Sequence, residues 1–457
     1  MQRSLTAVLI GTFTLRLSTG LTGGLLVFYL AGLADYPGGR TVSAFEVGVI
    51  TATYFVAELV LSPLFGILSD RFGTRLIMQI GPIFGAVAVI VTAFTTDVLL
   101  LGVTRWVEGA AAASSIPSIL GYIALATSGN DRLRGQAVAR FEAATLAGLG
   151  GGIVIAGAVY AVLGRNAFLL NAVIYAVSFA IYRFGVREAP GDERDADVTE
   201  LGAGGIGALS EERFDLARYR RVLASAGVWL LAPTWIALNA FVGVWTSQSI
   251  FQLVQEPRPG FEEQLLMGGF APAFVSVGLA VALSVFFVGL IYWGNRFRRF
   301  RRTTMIALGL VGGIVLLAGI YGLNHSAAWG PVPRLGFALL GAAGLFVLAG
   351  ATPAALGLLA DISETHPRDR GAIMGLYSVF LAVGQITGAV LGGTAAEWQG
   401  VDGLLGASLL LMLVAFLPLQ RLRASEHLVG VVHPGGVRAA TAVETETTAS
   451  GAGATGR

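Results

Sequence analysis

Apolar residues occur in twelve long runs along the chain, and short polar segments separate these runs. Each run is close to the roughly 20 residues that a helix needs to cross the hydrocarbon core of a bilayer. No run alternates as a strand does, and in lipid a helix satisfies its backbone polar groups within its own segment. The pattern therefore predicts twelve transmembrane helices, at residues 7–33, 45–68, 76–96, 98–126, 137–163, 166–186, 222–254, 267–293, 303–323, 333–360, 372–396 and 402–420.

One long polar segment separates six of these helices from the other six. Its first part is rich in Pro, Gly and acidic residues, which is typical of a flexible linker. The end of the chain contains Thr-Glu and Gly-Ala repeats and is predicted to be disordered. We therefore expect an all-α membrane protein with an N-terminal six-helix half at 1–186, a cytoplasmic linker at 187–221, a C-terminal six-helix half at 222–423 and a tail at 424–457.

The two halves share an internal repeat. An offset of 236 pairs Gly148 with Gly384, Gly152 with Gly388 and Arg134-Gly135 with Arg370-Gly371. An offset of 223 pairs Arg16 with Asn239 and Gly20 with Gly243. A repeat of this kind is typical of transporters built from two related bundles, and the paired glycines are predicted to be ridges where helices pack closely.

Composition agrees with a membrane location. Of the 457 residues 55% are hydrophobic and 13% are charged, and the mean hydropathy is +0.73. The loops on one side carry 17 arginines and those on the other side carry 4, so both termini are predicted to lie in the cytoplasm of a cell-membrane protein. The first apolar run is too long for the core of a signal peptide, and we interpret it as a retained helix.

A charged hinge separates the second and third predicted helices. It reads Gly66-Ile-Leu-Ser-Asp70-Arg71-Phe-Gly73-Thr-Arg75. Gly66 is predicted to let two helices approach closely, because glycine has no side chain. Asp70 can lie at a helix terminus or bind an arginine, and the arginines are expected to hold the turn at the cytoplasmic face.

This hinge closely resembles the loop between the second and third helices of the major facilitator superfamily. The segment Arg105-x-x-Glu108-Gly109 resembles the fourth-helix motif of that family, in which the arginine is associated with proton coupling. The resemblance implies two six-helix halves that rock about a central site bordered by helices one, two, four and five. The second-half copy of the hinge, at residues 295–299, has Asn in place of the aspartate and Arg in place of the glycine.

Away from the helix ends, the interiors of the predicted helices contain five ionisable residues, all in the first half: Arg16, Glu58, Arg105, Glu108 and Glu142. Burying such a group in hydrocarbon costs roughly 2.5–3.5 kcal/mol, so each is a candidate for function. The fully ionised set carries a charge of −1, which one proton neutralises. Our hypothesis is that Glu58 or Glu108 carries the proton, that Arg16 and Arg105 compete for it, and that Glu142 is a further candidate. The alternative is that Arg105–Glu108 and Arg16–Glu58 are static pairs.

In the second half, the polar side chains inside the predicted helices and away from their ends are neutral. Together with Arg16, the candidates for lining a substrate cavity are Asn239, Trp245, Gln248 and Gln385. The alternative role for each is hydrogen bonding at a helix interface.

Several functions are compatible with this pattern. The first is proton-coupled export of an amphipathic compound, and the second is proton- or sodium-coupled uptake of a polar or anionic solute. The second gains support because residues 152–157 lack the proline that drug/proton antiporters of this superfamily carry in the fifth helix. A non-transporting sensor or scaffold would need a folded soluble domain, which neither the linker nor the tail resembles.

We expect no enzymatic activity, cofactor, metal or nucleic-acid partner, since the histidines fall in loops or the tail and no nucleotide or hydrolase motif occurs. The expected partners are a small-molecule substrate, a coupling ion and lipid, around a monomer.

Overall fold

The computed structural model describes residues 2–128, 130–187, 226–296, 300–364 and 370–424. This part of the chain is helical and has no strand, which confirms the all-α prediction. The predicted linker and tail lie almost entirely outside the described residues. The helices are α1 (Gln2–Ala31), α2 (Ala44–Phe72), α3 (Thr74–Phe94), α4 (Val98–Ala126), α5 (Asp131–Leu163), α6 (Ala167–Ala180), α7 (Ala226–Val254), α8 (Pro272–Arg296), α9 (Arg302–Asn324), α10 (Pro331–Leu348), α11 (Ala351–Glu364) and α12 (Arg370–Ala424).

Glycines with positive φ divide the longest apolar stretches. Nine stretches of the described residues are long and apolar enough to cross a membrane, and two of them, Leu133–Gly185 and Ser378–Ala424, contain 53 and 47 residues. Gly164 interrupts the first at φ +52° and Gly400 interrupts the second at φ +62°. Since residues with a side chain rarely adopt a positive φ, glycine is the residue that lets the chain reverse there. These two breaks divide the nine stretches into eleven segments, and the 29-residue α7 is a further long helix of the described residues.

Some predicted boundaries were wrong. Helix α2 continues to Phe72 and α5 begins at Asp131, because a helix extends past the apolar run once it leaves the hydrocarbon. The helix predicted at 267–293 begins only at Pro272, since Gly268 and Gly269 adopt φ of +87° and +79°. The helix predicted at 333–360 is interrupted after Leu348 and forms α10 and α11.

The sequence also explains the sharp ends of α2. The side chain of Ser43 accepts a hydrogen bond from the Glu46 amide, and Glu46 bonds back to the Ser43 amide, which forms a complete capping box. At the other end a single residue, Gly73 at φ +89°, separates α2 from α3. The predicted hinge is therefore a one-residue turn.

The internal repeat is present in the packing. A Cβ on Gly148 would meet Phe13 and Arg16 of α1, and a Cβ on Gly384 would meet Ile236 and Asn239 of α7. The same relation holds one turn later, where Gly152 and Gly388 lie against the carbonyl oxygens of Leu17 and Ala240. The glycines of each pair are 236 residues apart, and the residues that they contact are 223 residues apart. This confirms the close-packing role of these glycines.

Within the described residues the two halves meet mainly through four helix pairs: α1 with α7, α2 with α7, α2 with α12, and α5 with α8. Helices α3 and α6 pack mainly against each other and against α4 and α1, so they lie away from this interface. We call the side with the turn at Gly73 the hinge face and the other side the opposite face. Close contacts of α2 and α12 lie toward the opposite face, where Gly48 approaches Ala389 and Gly393 approaches Ala44.

We expect Gly388→Ala to destabilise the protein by about 1–3 kcal/mol, because the new methyl group would collide with the Ala240 carbonyl. The matched control is Gly278→Ala in α8, where no atom of the described chain lies within 4 Å of the added Cβ. Thermal unfolding of purified protein in detergent would measure both. Equal melting temperatures for the two variants would contradict the packing role of Gly388.

Candidate functional site

Two of the predicted site residues lie at the centres of their helices. Arg16 is the middle of the 30-residue α1, and Glu58 is the middle of the 29-residue α2. Arg16 is 8% exposed, and its Cβ lies where α1 crosses α5 at Gly148. The close crossing leaves no room for a larger residue at 148, so it fixes the depth of the guanidinium. Both residues therefore lie at the middle of their helices, and their position at the middle of the membrane stays a prediction.

Arg16, Glu58 and Glu142 form what we call the Arg16 cluster. The positive charge of Arg16 acts on the carboxyl groups of both glutamates, which come from α2 and α5. Within the described residues, none of the three side chains makes a hydrogen bond or an ion pair at contact distance. Glu58 is partly exposed and Glu142 is exposed. The expected static Arg16–Glu58 pair is therefore not formed here, and the acids remain accessible to a proton or a ligand.

Arg105 and Glu108 form a direct pair on α4. The Nη1 atom of Arg105 lies 2.6 Å from Oε2 of Glu108, and the two side chains are 9% and 3% exposed. The hydroxyl of Tyr175 on α6 donates to Oε1 of Glu108 at 3.4 Å. The Nε of Arg105 is buried without a hydrogen-bond partner. The pair expected from the i,i+3 spacing is present, and it is more enclosed than the Arg16 cluster.

Tyr54 connects the two groups, and the sequence analysis missed it. The guanidinium carbon of Arg105 lies 4.7 Å from the centre of the Tyr54 ring, a cation–π distance. The Tyr54 hydroxyl experiences the charges of both groups, Glu58 and Arg16 on one side and Arg105 and Glu108 on the other. Its spacing of four residues before Glu58 places it on the same face of α2, which is the signal that could have identified it.

The substrate-cavity candidates of the second half mostly bond within or between helices. Gln248 is fully buried and donates to the Ala44 carbonyl at 2.9 Å. Gln385 accepts from the Thr246 hydroxyl at 3.4 Å. Asn239 donates to the carbonyl of Trp235 at 2.9 Å and lies against Gly384. Trp245 is partly buried, and its indole N–H has no hydrogen-bond partner among the described residues. Of the set, Trp245 and Arg16 keep polar groups free for a ligand.

The hinge residues lie at the ends of α2 and α3. Nη2 of Arg75 donates to the carbonyl oxygen of Arg183 at 2.9 Å, so the hinge is attached to the π-helical turn Ile181–Gly185 that follows α6. Arg71 is exposed, with its guanidinium 5.4 Å from the Phe72 ring, and Asp70 is exposed as well. The expected close approach at Gly66 is absent from the described residues, because no atom lies within 4 Å of an added Cβ.

The remaining part of the predicted hinge repeat is only partly described. Asn295 and Arg296 end α8, and residues 297–299 lie outside the described residues. In the described residues no group of three metal-binding side chains occurs, and His325 pairs with Asp402 at 3.0 Å on the opposite face. The ionisable candidates of the interior are thus the side chains of Arg16, Glu58, Arg105, Glu108 and Glu142, on α1, α2, α4 and α5.

Comparison with known proteins agrees with this architecture. Residues 8–330 match the family model described as Major Facilitator Superfamily. Multidrug resistance protein 1 of Bacillus subtilis (strain 168) is 23% identical over 356 residues, which cover 77% of this chain and 81% of that protein. Tetracycline resistance protein, class B, of Escherichia coli is 27% identical over 157 residues, 34% of this chain and 38% of that protein.

Solved structures show the same fold. A peptide transporter POT superposes with a TM-score of 0.65 at 16% identity, over 94% of this chain and 95% of its own. The nucleoside transporter NupG superposes with a TM-score of 0.59 at 14% identity, over 92% and 98%. The family match spans well over half of the sequence, and the chain therefore belongs to the major facilitator superfamily of membrane transporters.

Proposed function

We propose that this transporter exports an amphipathic or lipophilic small molecule in exchange for protons. The observation that carries the proposal is the Arg16 cluster, where two accessible glutamates share one arginine without a direct ion pair. A carboxyl group in this position can take up a proton when the arginine is engaged elsewhere and release it when the arginine approaches. Such a group responds to a change in its exposure, which is what coupling to a proton gradient requires.

The character of the substrate follows from the second half. Its buried amides Gln248 and Gln385 are engaged in hydrogen bonds, and the helices are otherwise aliphatic, aromatic and glycine-rich. A substrate that contacts this half meets mainly apolar surface and the indole of Trp245. The names of the relatives, multidrug and tetracycline resistance proteins, agree with export of such compounds.

One observation favours a second function, proton- or sodium-coupled uptake of an anionic solute. The Arg16 guanidinium has no hydrogen-bond acceptor among the described residues, so a carboxylate or phosphate of a substrate could bind it. Export would then be replaced by symport, with the substrate anion taking the place of Glu58 beside Arg16.

In either case we infer that the two halves rock about the Arg16 cluster, which is exposed alternately on the hinge face and the opposite face. The arginine-rich hinge face is assigned to the cytoplasm, with both termini on that side of the cell membrane. The Asp70–Arg75 segment would stabilise one state through contacts at the helix ends.

The coupling hypothesis predicts that Glu58→Gln loses gradient-driven transport in reconstituted vesicles. The assay would follow an amphipathic fluorescent cation such as ethidium under an imposed pH gradient, with a sodium gradient as the comparison. Exchange without a gradient should persist, because the amide keeps the size of the side chain. Full gradient dependence in Glu58→Gln and also in Glu108→Gln would refute the proton-carrier role. Stimulation by sodium alone would favour the second function.

A second experiment separates a functional Arg105–Glu108 pair from a structural one. Glu108→Ala should destabilise the protein by about 3–5 kcal/mol, because it leaves a buried guanidinium without its partner. The double variant Arg105→Met with Glu108→Met should recover stability, and Glu263→Ala, which removes an exposed acid outside the interior groups, is the control. We expect the double variant to melt normally and to transport poorly. Normal gradient-driven transport by it would assign the pair a purely structural role.

The hinge role predicts that Asp70→Ala lowers the turnover rate severalfold while substrate affinity changes little, because a helix-end contact that stabilises one state alters the rate of interconversion. Asp70→Asn keeps the size of the side chain and serves as the matched control for the charge. Transport rates at saturating ethidium, together with a binding titration, would measure both quantities. A normal turnover rate in Asp70→Ala would contradict the role.

A further inference from the structure

The first residue of α2 is held by the other half of the protein at both of its peptide groups. The amide N–H of Ala44 donates to Oε2 of Glu397 at 2.8 Å, and the Ala44 carbonyl accepts from Nε2 of Gln248 at 2.9 Å. Glu397 lies near the break in α12, and Gln248 lies on α7. Two hydrogen bonds between the halves thus converge on one residue at the opposite face.

The amide of Ala44 needs such a partner because it begins a helix. The first N–H groups of a helix have no acceptor within the helix, and the Ser43 capping box satisfies the amides of Ser43 and Glu46 only. The carboxylate of Glu397 completes the cap from the second half. Its negative charge also lies at the positive end of the α2 dipole, where a carboxylate is favourable.

Glycines permit this approach. A Cβ on Gly48 would collide with the Ala389 carbonyl, and a Cβ on Gly393 would lie 2.7 Å from the Ala44 carbonyl oxygen. The backbones of α2 and α12 are therefore in contact over about one turn next to the capped amide. The contact is short-ranged, so a small separation of the halves would break both hydrogen bonds.

Two further groups orient the side chains that hold Ala44. Arg258 donates from Nη2 to the Ala396 carbonyl at 2.8 Å, and its Nη1 lies 3.6 Å from Oε1 of Glu397. On α7, Gln252 donates to the Gln248 side-chain oxygen at 3.3 Å, and Gln255 donates to that of Gln252 at 2.6 Å. Gln248 is thereby left with its amide hydrogens directed at Ala44, and it is fully buried.

We propose that Glu397 and Gln248 form a latch on Ala44 that holds the opposite face of the transporter closed. The latch rests on the proposed rocking of the halves, and it depends on neither the coupling ion nor the substrate. In the open state Ala44 would lose its cap and Gln248 its acceptor, so these two bonds favour the closed state selectively. Glu397 and Gln248 are positioning residues for the conformational cycle.

The chain has no cysteine, which allows site-specific spin labelling without removing native residues. Cysteines would replace Ala34 and Ala328, which are exposed on opposite-face loops of the first and second half. Pulsed electron paramagnetic resonance on the full chain in lipid nanodiscs would then report the distance between the halves. Glu397→Ala should raise the ratio of the long-distance to the short-distance population roughly fivefold, as expected for one charged cap at a partly exposed helix end.

Three further variants would be measured beside Glu397→Ala. Glu397→Gln keeps an acceptor oxygen without the charge and should shift the ratio less, and Gln248→Ala should shift it in the same direction as Glu397→Ala. Glu263→Ala removes an exposed carboxylate from the α7–α8 loop of the same face and should leave the ratio unchanged. Melting temperatures of all variants identify any that fail to fold, and Glu397→Gln remains informative if Glu397→Ala is one of them.

The outcomes separate the latch from the proposed function. Two distance populations in the wild type whose ratio is unchanged in Glu397→Ala, Glu397→Gln and Gln248→Ala would overturn the latch alone. A single distance in the wild type and every variant would overturn the rocking of the halves and the latch with it. If the population ratio shifts as expected in these variants while transport does not respond to the pH gradient, the latch is supported and proton coupling is refuted.

Discussion

The close crossing of α1 with α5 is the contact on which the rest of the structure depends. Glycines at 148 and 152 bring the backbone of α5 against the carbonyl groups of α1, which would be impossible with any larger residue. In lipid, where apolar surface alone does not drive helices together, this kind of packing supplies much of the association energy. The crossing also holds Arg16, at the middle of α1, where its charge acts on two glutamates of different helices. The same backbone contact thus organises the fold and the charges inside it.

The second half repeats that crossing and uses it differently. Gly384 and Gly388 meet α7 at positions equivalent to those of α1, but Asn239 stands where the first half has Arg16. The acids described in α12, Glu397 and Asp402, lie near the break at Gly400 and away from this crossing. The charge asymmetry therefore arises within a symmetric scaffold. A duplicated bundle can keep its packing glycines, which backbone contact requires, while the side chains that face its interior diverge. Under the proposed function, the first half would carry the ion coupling and the second half would supply the apolar wall of the cavity.

The polar groups of the interior fall into two kinds. The Arg105–Glu108 pair is enclosed, directly bonded and supported by Tyr175, which is the arrangement that a buried charge needs to be stable. The Arg16 cluster lacks these direct bonds and is more accessible, which is the arrangement of groups that change partner. Tyr54 lies between the two, with its ring against Arg105 and its hydroxyl near both sets of charges.

The sequence was sufficient to predict the membrane spans, the two halves and the family, because each depends on local composition. A helix in lipid must be long and apolar. The glycines that reverse the chain or pack against a backbone can be identified by their positions in the sequence. The central position of Arg16 and Glu58 within their helices followed from counting residues along the sequence. What the sequence could not decide was which side chains meet, because partners on different helices depend on rotation and separation to within about an ångström. Only the tertiary structure brought the charge of Arg16 to act on two acids and engaged Gln248 with the end of α2. It also brought Glu397 to the Ala44 amide and, within the described part of the chain, left Gly66 without a close neighbour.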